Sequence, residues 1–128
     1  MIDRDRLTAL RADEERRFVE THPRSHDLSR RAGATLLAGV PMPWMTRWAG
    51  SFPLFVESAS GARLTDVDGV EYVDLCLGDT GAMTGHALPA VADAVASRAR
   101  QGITTMLPSD DAIWVSQELA RRFGLPQW

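Results

Sequence analysis

Four carboxylates are crowded into one short stretch of this chain, and closely spaced carboxylates are the usual oxygen ligands of a calcium ion. The stretch is TDVDGVEYVDL, residues 65–75, and around one glycine it carries the acids Asp66, Asp68, Glu71 and Asp74. An EF-hand loop needs a glutamate at its twelfth position, but the twelfth residue counted from Asp66 is Leu77. We therefore do not expect a metal site here.

The same stretch has the pattern of a β-hairpin. Asp68-Gly69 lies between runs that alternate apolar and polar residues. Asp-Gly favours a two-residue hairpin turn because both turn positions have positive φ. We predict a tight hairpin whose second strand starts at Val70 and whose four acids lie on a solvated face.

A glycine-rich loop, GDTGAMTGHALP, begins at Gly78. It cannot be a P-loop, because the chain has no lysine, and its glycine spacing does not fit the dinucleotide-binding pattern. Asp79 is nevertheless of interest, since a carboxylate in a loop just after a strand is often part of a functional site. The alternative is that the Asp79 side chain hydrogen-bonds its own loop backbone.

Other groups that could do chemistry are sparse. A zinc site is not expected from one cysteine and the dispersed histidines His22, His26 and His86, which we interpret as structural or solvated. Cys76 falls in a predicted buried strand, where a thiol packs as a small hydrophobic group. We do not expect a catalytic cysteine.

The composition excludes several classes of function. The net charge of the 128 residues is −3, which does not favour binding to nucleic acid or to an anionic membrane. All 14 basic residues are arginines, and the single cysteine cannot form an internal disulfide. Without an apolar run of the length of a signal peptide or a membrane helix, we expect a cytoplasmic protein.

The elements that position these residues are predicted to form an α+β arrangement. A charged helix covers 3–20, and Ser25 caps a second helix that runs to about Leu37 and ends at Gly39. A meander of three short antiparallel strands follows, at 54–57, 62–67 and 70–77.

The rest of the chain is predicted to contain an apolar segment and two more helices. Residues 40–50 hold two prolines, two tryptophans and two methionines, which fit neither a helix nor a central strand. This loop is expected to pack on its own domain, to line a pocket or to meet another chain. One helix runs from Pro89 to about Arg100. Ser109 caps the other helix, which Gly124 stops.

These pieces follow one another in an order that resembles the N-terminal region of class III, pyridoxal-phosphate-dependent aminotransferases. That family includes glutamate-1-semialdehyde aminomutases and β-amino-acid aminotransferases. The resemblance covers roughly residues 24–128 and lies in the hairpin DVDGVEYVD, the helix start GHALPAVADA and the helix cap PSD. It implies the N-terminal part of a fold-type-I enzyme, divided as 1–23, 24–52 and 53–128, with the small antiparallel meander at about 53–77.

The resemblance also implies a cofactor and partners. Family members hold pyridoxal phosphate through a lysine and a phosphate cup that come later in their chains than the region seen here. Because this chain has no lysine, we expect the cofactor to be held mainly by a partner chain or by a domain outside this sequence. A dimeric assembly and a small amine or amino-acid substrate are implied as well.

By position, the resemblance assigns site residues on two segments. Gly78, Asp79 and Thr80 match a loop beside cofactor and substrate, where aminomutases carry a tryptophan in place of Asp79. Residues 40–48 match the segment that binds the substrate carboxylate. The arginine used there aligns at Trp44 or Met45, and the nearby arginine of this chain is Arg47.

We therefore expect Trp44, Arg47, Asp79 and Thr80 to contact substrate, and Gly78 and Ser109 to lie next to the cofactor. No residue of this chain is expected to transfer the protons. The implied function is that of an N-terminal portion or small subunit of a split, heteromeric aminotransferase or aminomutase. The alternative is a non-catalytic subunit, derived from an aminotransferase, that stabilises a partner.

Overall fold

The computed structural model describes residues 3–47 and 50–128, so Trp48, the second tryptophan of the apolar segment 40–50, lies outside the described residues. The described chain forms two compact units, one up to Leu88 and one from Pro89 onward. The first unit contains two helices, two short 3-10 turns and a sheet, and the second contains two helices. This is the α+β content that the sequence predicted, while the three-part division into 1–23, 24–52 and 53–128 stays a prediction.

Helix α1, Arg4–Thr21, begins with a side-chain cap. The carboxylate of Asp3 accepts a hydrogen bond from the backbone N–H of Arg6 at 3.0 Å. Its described side chains are exposed apart from the half-buried Phe18, and ion pairs such as Arg11 with Glu15 lie along its surface. The predicted charged helix is confirmed, and such exposed pairs add little to stability.

Helix α2, Pro23–Ala32, corrects two predictions. Its N-cap is His22, and Pro23 occupies the first turn. Proline is favourable there because a backbone N–H in the first turn has no partner within the helix. Ser25 is therefore a fully buried residue inside the helix and not its cap. The helix also ends at Ala32, with Gly33 as C-cap, and Leu37–Gly39 forms a separate 3-10 turn.

A three-stranded antiparallel meander follows in the order β1-β2-β3, as predicted. The strands are Val56–Ser60, Arg63–Asp66 and Glu71–Val73. The pairing of β1 with β2 shifts between Val56 and Ser58, which is a β-bulge. The predicted third strand is too long at its end, because the carboxylate of Asp74 binds the next backbone amides and turns the chain away.

The turn between β2 and β3 has three residues, not the predicted two. The N–H of Gly69 donates to the carbonyl of Asp66, and the N–H of Asp66 donates to the carbonyl of Val70, each at 3.0 Å. Only Gly69 among the turn residues has positive φ, at 85°. This is a turn followed by a left-handed glycine, the common three-residue hairpin loop.

The second unit holds α3, Pro89–Ala99, and α4, Asp111–Phe123. Gly124 closes α4 in the left-handed conformation, as predicted, with its N–H bonded to the carbonyl of Ala120. The predicted cap is wrong, because Asp110 is the N-cap residue and makes no side-chain cap bond. The hydroxyl of Ser109 instead donates to the carboxylate of Asp111 at 3.0 Å.

Apolar side chains of the described residues are largely uncovered. Val40, at 5 % exposure, is the one buried hydrophobic residue among them, while Trp114 is 67 % and Phe123 is 64 % exposed. An aromatic cluster holds α1 and α2 together, in which Phe52 packs on Phe18 and stacks on His26, each at 4.8 Å. Apolar surface of this extent is unusual for a soluble domain that stands alone. No described helix combines the length and apolar character needed to cross a membrane.

Candidate substrate-side site

Asp66 is the buried centre of the hairpin. It is 1 % exposed, and its Oδ1 accepts hydrogen bonds from the backbone N–H groups of Asp68 and Val70, both at 2.9 Å. Its Oδ2 accepts from the hydroxyl of Tyr72 at 3.0 Å. A buried carboxylate is tolerated when donors of this kind surround it. Asp66 therefore shapes the turn from inside.

His22 continues this network toward the helices. Its Nε2 lies 2.6 Å from the Tyr72 hydroxyl oxygen and 3.4 Å from Oδ2 of Asp66, and its Nδ1 lies 2.7 Å from the carbonyl of Phe18. The Tyr72 hydroxyl has one proton and donates it to Asp66. The network joins the corner between α1 and α2 to the sheet.

Tyr72 is shielded from water by this arrangement. Partial burial, the hydrogen bond to Asp66 and the negative charges of Asp66 and Asp68 raise the pKa of Tyr72 to about 12. All of these effects disfavour the tyrosinate, burial most strongly. Tyr72 is therefore a neutral structural donor at physiological pH.

Asp68 ties the hairpin turn to the start of α2. Its two carboxylate oxygens accept from the backbone N–H groups of Arg24 at 2.7 Å and Ser25 at 2.9 Å. Burial opposes ionisation of Asp68, but these N–H donors outweigh it and hold its pKa below the ordinary value. The guanidinium of Arg24 also donates to the carbonyl of Val67. Asp68 thus caps a helix that lies more than 40 residues earlier in the chain.

The predicted solvated face for all four acids is therefore wrong. Asp66 and Asp74 are buried and Asp68 is half-buried, because their carboxylates satisfy backbone amides; Glu71 alone is exposed and pairs with Arg63 at 2.6 Å. Across the described residues, no group of acids, histidines or cysteine is placed to hold a metal ion. The cluster organises the backbone.

Asp74 and His86 close the glycine-rich loop. Oδ1 of Asp74 accepts from the N–H groups of Cys76 and Leu77, both at 2.9 Å, and Oδ2 lies 2.6 Å from Nε2 of His86. The hydrogen bond from His86 is the strongest of the effects that lower the pKa of Asp74, and the two amide bonds add to it. One carboxylate thus contacts both ends of the loop.

The loop has an unusual backbone. Four successive residues, Leu77, Gly78, Asp79 and Thr80, have φ between 52° and 83°. For a residue with a side chain this left-handed region costs roughly 1 kcal/mol or more, so it persists only where surrounding bonds impose it. Such strain concentrates at functional sites. Cys76, predicted in a buried strand, is instead exposed in the turn that leads into this loop.

The site residues predicted from the resemblance fall on separate parts of the chain. Gly78, Asp79 and Thr80 are consecutive and exposed in the strained loop. Ser109 is half-buried in the second unit, just before α4. Their roles toward substrate and cofactor stay predictions.

Trp44 and Arg47 share the 3-10 turn Pro43–Arg47, which packs on the turn at Leu37–Gly39. Both side chains are exposed. A cavity of about 200 Å³ lies beside this turn, and its lining includes Ser29, Ala38, Met45, Thr46, Ser51 and Phe52. Met45, one of the two positions predicted to align with the arginine of aminomutases, thus lies in the wall of a cavity whose described lining includes hydroxyl groups and no guanidinium group.

Several residues that build the site were not assigned a role from the sequence. His22, Tyr72 and Asp66 form one network, and Asp74 and His86 form another, across 50 and 12 residues of chain. No periodic pattern signals such pairs. The available signal was chemical: an acid two residues before a turn, as at Asp66 and Asp74, is well placed to accept backbone N–H bonds.

Pyridoxal phosphate does not fit this chain as its sole holder. The 128 residues provide no lysine for covalent attachment, and the only charged side chain between Gly78 and Gly85 is the acid Asp79, which disfavours a phosphate. The loop therefore offers neither an amine for the aldehyde nor a cation for the phosphate of this cofactor.

Comparisons with known proteins all match this chain to one family. The family model described as aminotransferase class-III matches residues 44–126. The crystal structure of a glutamate-1-semialdehyde-aminomutase from Pseudomonas aeruginosa PAO1 matches 99 % of this chain with a TM-score of 0.91 and 55 % identity, over 28 % of its own chain. A variant of that aminomutase has been solved in complex with PMP.

Two further relatives are more distant. A β-phenylalanine aminotransferase from Variovorax paradoxus matches 91 % of this chain and 27 % of its own, with a TM-score of 0.77 and 25 % identity. The glutamate-1-semialdehyde 2,1-aminomutase of Deinococcus radiodurans is 39 % identical over 109 residues, which are 82 % of this chain and 24 % of that protein. The chain spans about a quarter of the length of these relatives. It has the fold of the N-terminal part of a fold-type-I enzyme, and it belongs to the class-III aminotransferases.

Proposed function

We propose that this chain is the N-terminal portion of a pyridoxal-phosphate-dependent aminotransferase or aminomutase. The observation that carries the proposal is the match of nearly the whole chain to a glutamate-1-semialdehyde-aminomutase at 55 % identity. Pyridoxal phosphate, when bound, supplies an electron sink for moving an amino group. The lysine that holds it lies on another polypeptide or on a domain outside these 128 residues.

In this proposal the chain supplies substrate-side surfaces and no proton-transfer group. Asp79 and Thr80 lie in a loop whose backbone is held in a strained, defined conformation, which suits a group that must be positioned. Trp44 and Arg47 lie on a separate turn beside a cavity. We assign Gly78 and Ser109 to positions next to the cofactor. A small amine or amino acid is the substrate class that the family supports.

The exposed apolar surfaces support association with further protein. Trp114, Phe123 and Trp128 are each more than half exposed, and α4 alone cannot cover them. We propose that the lysine-bearing domain and a second protomer cover faces of this kind. The complete assembly would then be dimeric.

The test is reconstitution with the lysine-bearing polypeptide or domain. We expect a complex with the visible absorbance band of bound pyridoxal phosphate, and turnover of an amino substrate that requires both parts. Asp79→Ala and Trp44→Ala should each raise the KM for the amino substrate about tenfold, the effect of losing roughly 1.4 kcal/mol of binding. Glu71→Gln, in an exposed ion pair of the hairpin and away from both sites, is the control.

A different outcome would favour the stabilising subunit. If the complex forms and turns over equally well with Asp79→Ala and Trp44→Ala combined, the chain contributes structure and no substrate contact. If no visible band and no turnover appear with any lysine-bearing partner, the catalytic proposal is wrong. The two results are distinguishable because the first retains activity and the second lacks it.

A further inference from the structure

We propose that Asp74 and His86 act as a clasp that positions the loop of Leu77–Thr80 for the substrate. Neither residue is assigned a contact with substrate or cofactor, so both are positioning residues. The inference rests on the proposed function, since it assumes that Asp79 and Thr80 face the amino substrate.

The clasp joins the two ends of the loop through one carboxylate. Asp74 is 8 % exposed, and its three hydrogen-bond partners are two amides at the loop entrance and the imidazole at the loop exit. The entrance amides are those of Cys76, directly before the left-handed run, and of Leu77, its first residue. Loss of the carboxylate would therefore release the entrance and disconnect it from His86 at the same time.

Both halves of the clasp are themselves fixed to the sheet. The N–H of His86 donates to the carbonyl of Gly61 at 2.8 Å, and the N–H of Gly61 donates to the carbonyl of His86 at 2.9 Å. The N–H of Asp74 donates to the carbonyl of Ala62 at 2.9 Å. The anchor is the turn between β1 and β2, next to the pair of Ser60 with Arg63, so both ends of the loop bond to the same part of the sheet.

Between these anchors the loop is held by few bonds of its own. The described backbone bonds within it are Asp79 to Cys76, Gly81 to Gly78, Ala82 to Leu77 and Gly85 to Ala82. All four join residues within 76–85, so none of them connects the loop to the sheet. These bonds span the left-handed run at Leu77–Thr80 but do not tie it to the sheet, so the placement of the run depends on how the ends of the loop are held.

The imidazole contact has the chemistry of a charge-assisted bond. The Oδ2 to Nε2 distance is 2.6 Å, short for a nitrogen donor, and the contact depresses the pKa of Asp74. The Asp74 carboxylate is thus ionised and acts as an acceptor for all three donors. An Asp-His pair could also relay protons, so the test must separate positioning from proton transfer.

The experiment uses the complete holoenzyme with His86→Gln, His86→Leu and Asp74→Asn, and Glu71→Gln as the control. Glutamine keeps an N–H donor toward Asp74, whereas leucine has none. We expect His86→Leu and Asp74→Asn to raise the KM for the amino substrate about tenfold or more, with kcat changed by less than about threefold. His86→Gln should restore KM to within about threefold of the wild type.

A second readout does not depend on catalysis. Hydrogen exchange followed by mass spectrometry on a peptide covering 75–85 should speed up in His86→Leu and Asp74→Asn but not in His86→Gln or Glu71→Gln. It also applies if either His86→Leu or Asp74→Asn assembles poorly, since the other variant still compares loss of the contact with its retention in His86→Gln.

Three results would overturn the clasp. Unchanged exchange in His86→Leu would mean that the pair does not hold the loop. Faster exchange with an unchanged KM would mean that the loop is held but does not serve the substrate. An equal loss of kcat in His86→Gln and His86→Leu, with a limb missing from the pH profile, would make His86 a proton-transfer group. If the wild-type holoenzyme shows no visible cofactor band, the proposed function itself fails, independently of the exchange result.

Discussion

Tyr72 gives a direct test of the buried network, because it is the only tyrosine among the 128 residues. Its pKa is raised from 10.0 to about 12 by burial first and by Asp66 second. Tyrosine labelled at its ring carbon Cζ in this chain would therefore give one NMR signal that reports one ionisation. We expect its midpoint near pH 12 in the folded protein and near pH 10 after denaturation.

The same shift predicts how stability depends on alkaline pH. A group whose pKa is raised by folding contributes stability that is fully present below its unfolded pKa and lost as pH rises through its folded pKa. The free energy of unfolding should therefore fall between about pH 10 and pH 12. Two pKa units set an upper limit near 2.7 kcal/mol, and since Tyr72 is only partly buried we expect no more than about 2 kcal/mol.

Substitution separates the two causes. Asp66→Asn removes the negative charge and weakens the acceptor, so the midpoint of Tyr72 should move toward pH 10 but stay above it, because burial remains. Tyr72→Phe should abolish the alkaline loss of stability. Glu71→Gln, exposed on the same hairpin, should change neither. A Tyr72 midpoint at pH 10, while circular dichroism still shows the native helices, would refute the reasoning.

Three further predictions concern the hairpin and its loop. On the acid side, folding lowers the pKa values of Asp68 and Asp74, so their contribution is present above about pH 4 and lost below it; urea midpoints measured from pH 6 to pH 2 should fall, and less steeply in Asp68→Asn. Asp68→Ala should cost about 1 kcal/mol in urea unfolding by uncapping α2, and an unchanged midpoint would show that the two amide bonds contribute nothing. Gly85→Ala should destabilise by about 1–3 kcal/mol, because an added Cβ would lie 3.3 Å from the backbone of Gly61 at φ of 94°. Gly61→Ala is its matched control, since φ is also positive there at 55° but nothing lies within 4 Å; equal losses in the two variants would exclude the contact as the cause.

Much of the local structure followed from the sequence because it depends on neighbours along the chain. The charged helix α1, the helix that begins at Pro89 and the left-handed Gly124 at the end of α4 are set by periodicity, proline and glycine. The meander of three strands followed from alternation and turn residues. The order of these pieces was enough to identify the family, which the comparisons confirm.

The errors arose where a side chain bonds to a distant part of the chain. Ser25 has the right residue type for a cap, but Asp68 caps α2 from the hairpin, and Ser25 is buried instead. The third strand is shorter than its pattern because Asp74 captures the following amides. Spacing along the sequence cannot show which partner a carboxylate will meet.

The sequence by itself determined the elements, the family and the absence of a lysine. Only the tertiary structure decided that acids of TDVDGVEYVDL accept internal hydrogen bonds. Asp66 accepts one from the Tyr72 hydroxyl, and Asp74 accepts one from the His86 imidazole. The physical reason is that an acid beside a turn can either be solvated or accept hydrogen bonds from backbone amides. When residues far along the chain bury the acid, water is excluded and the amides become its hydrogen-bond partners. In this fold, burial selects the amides.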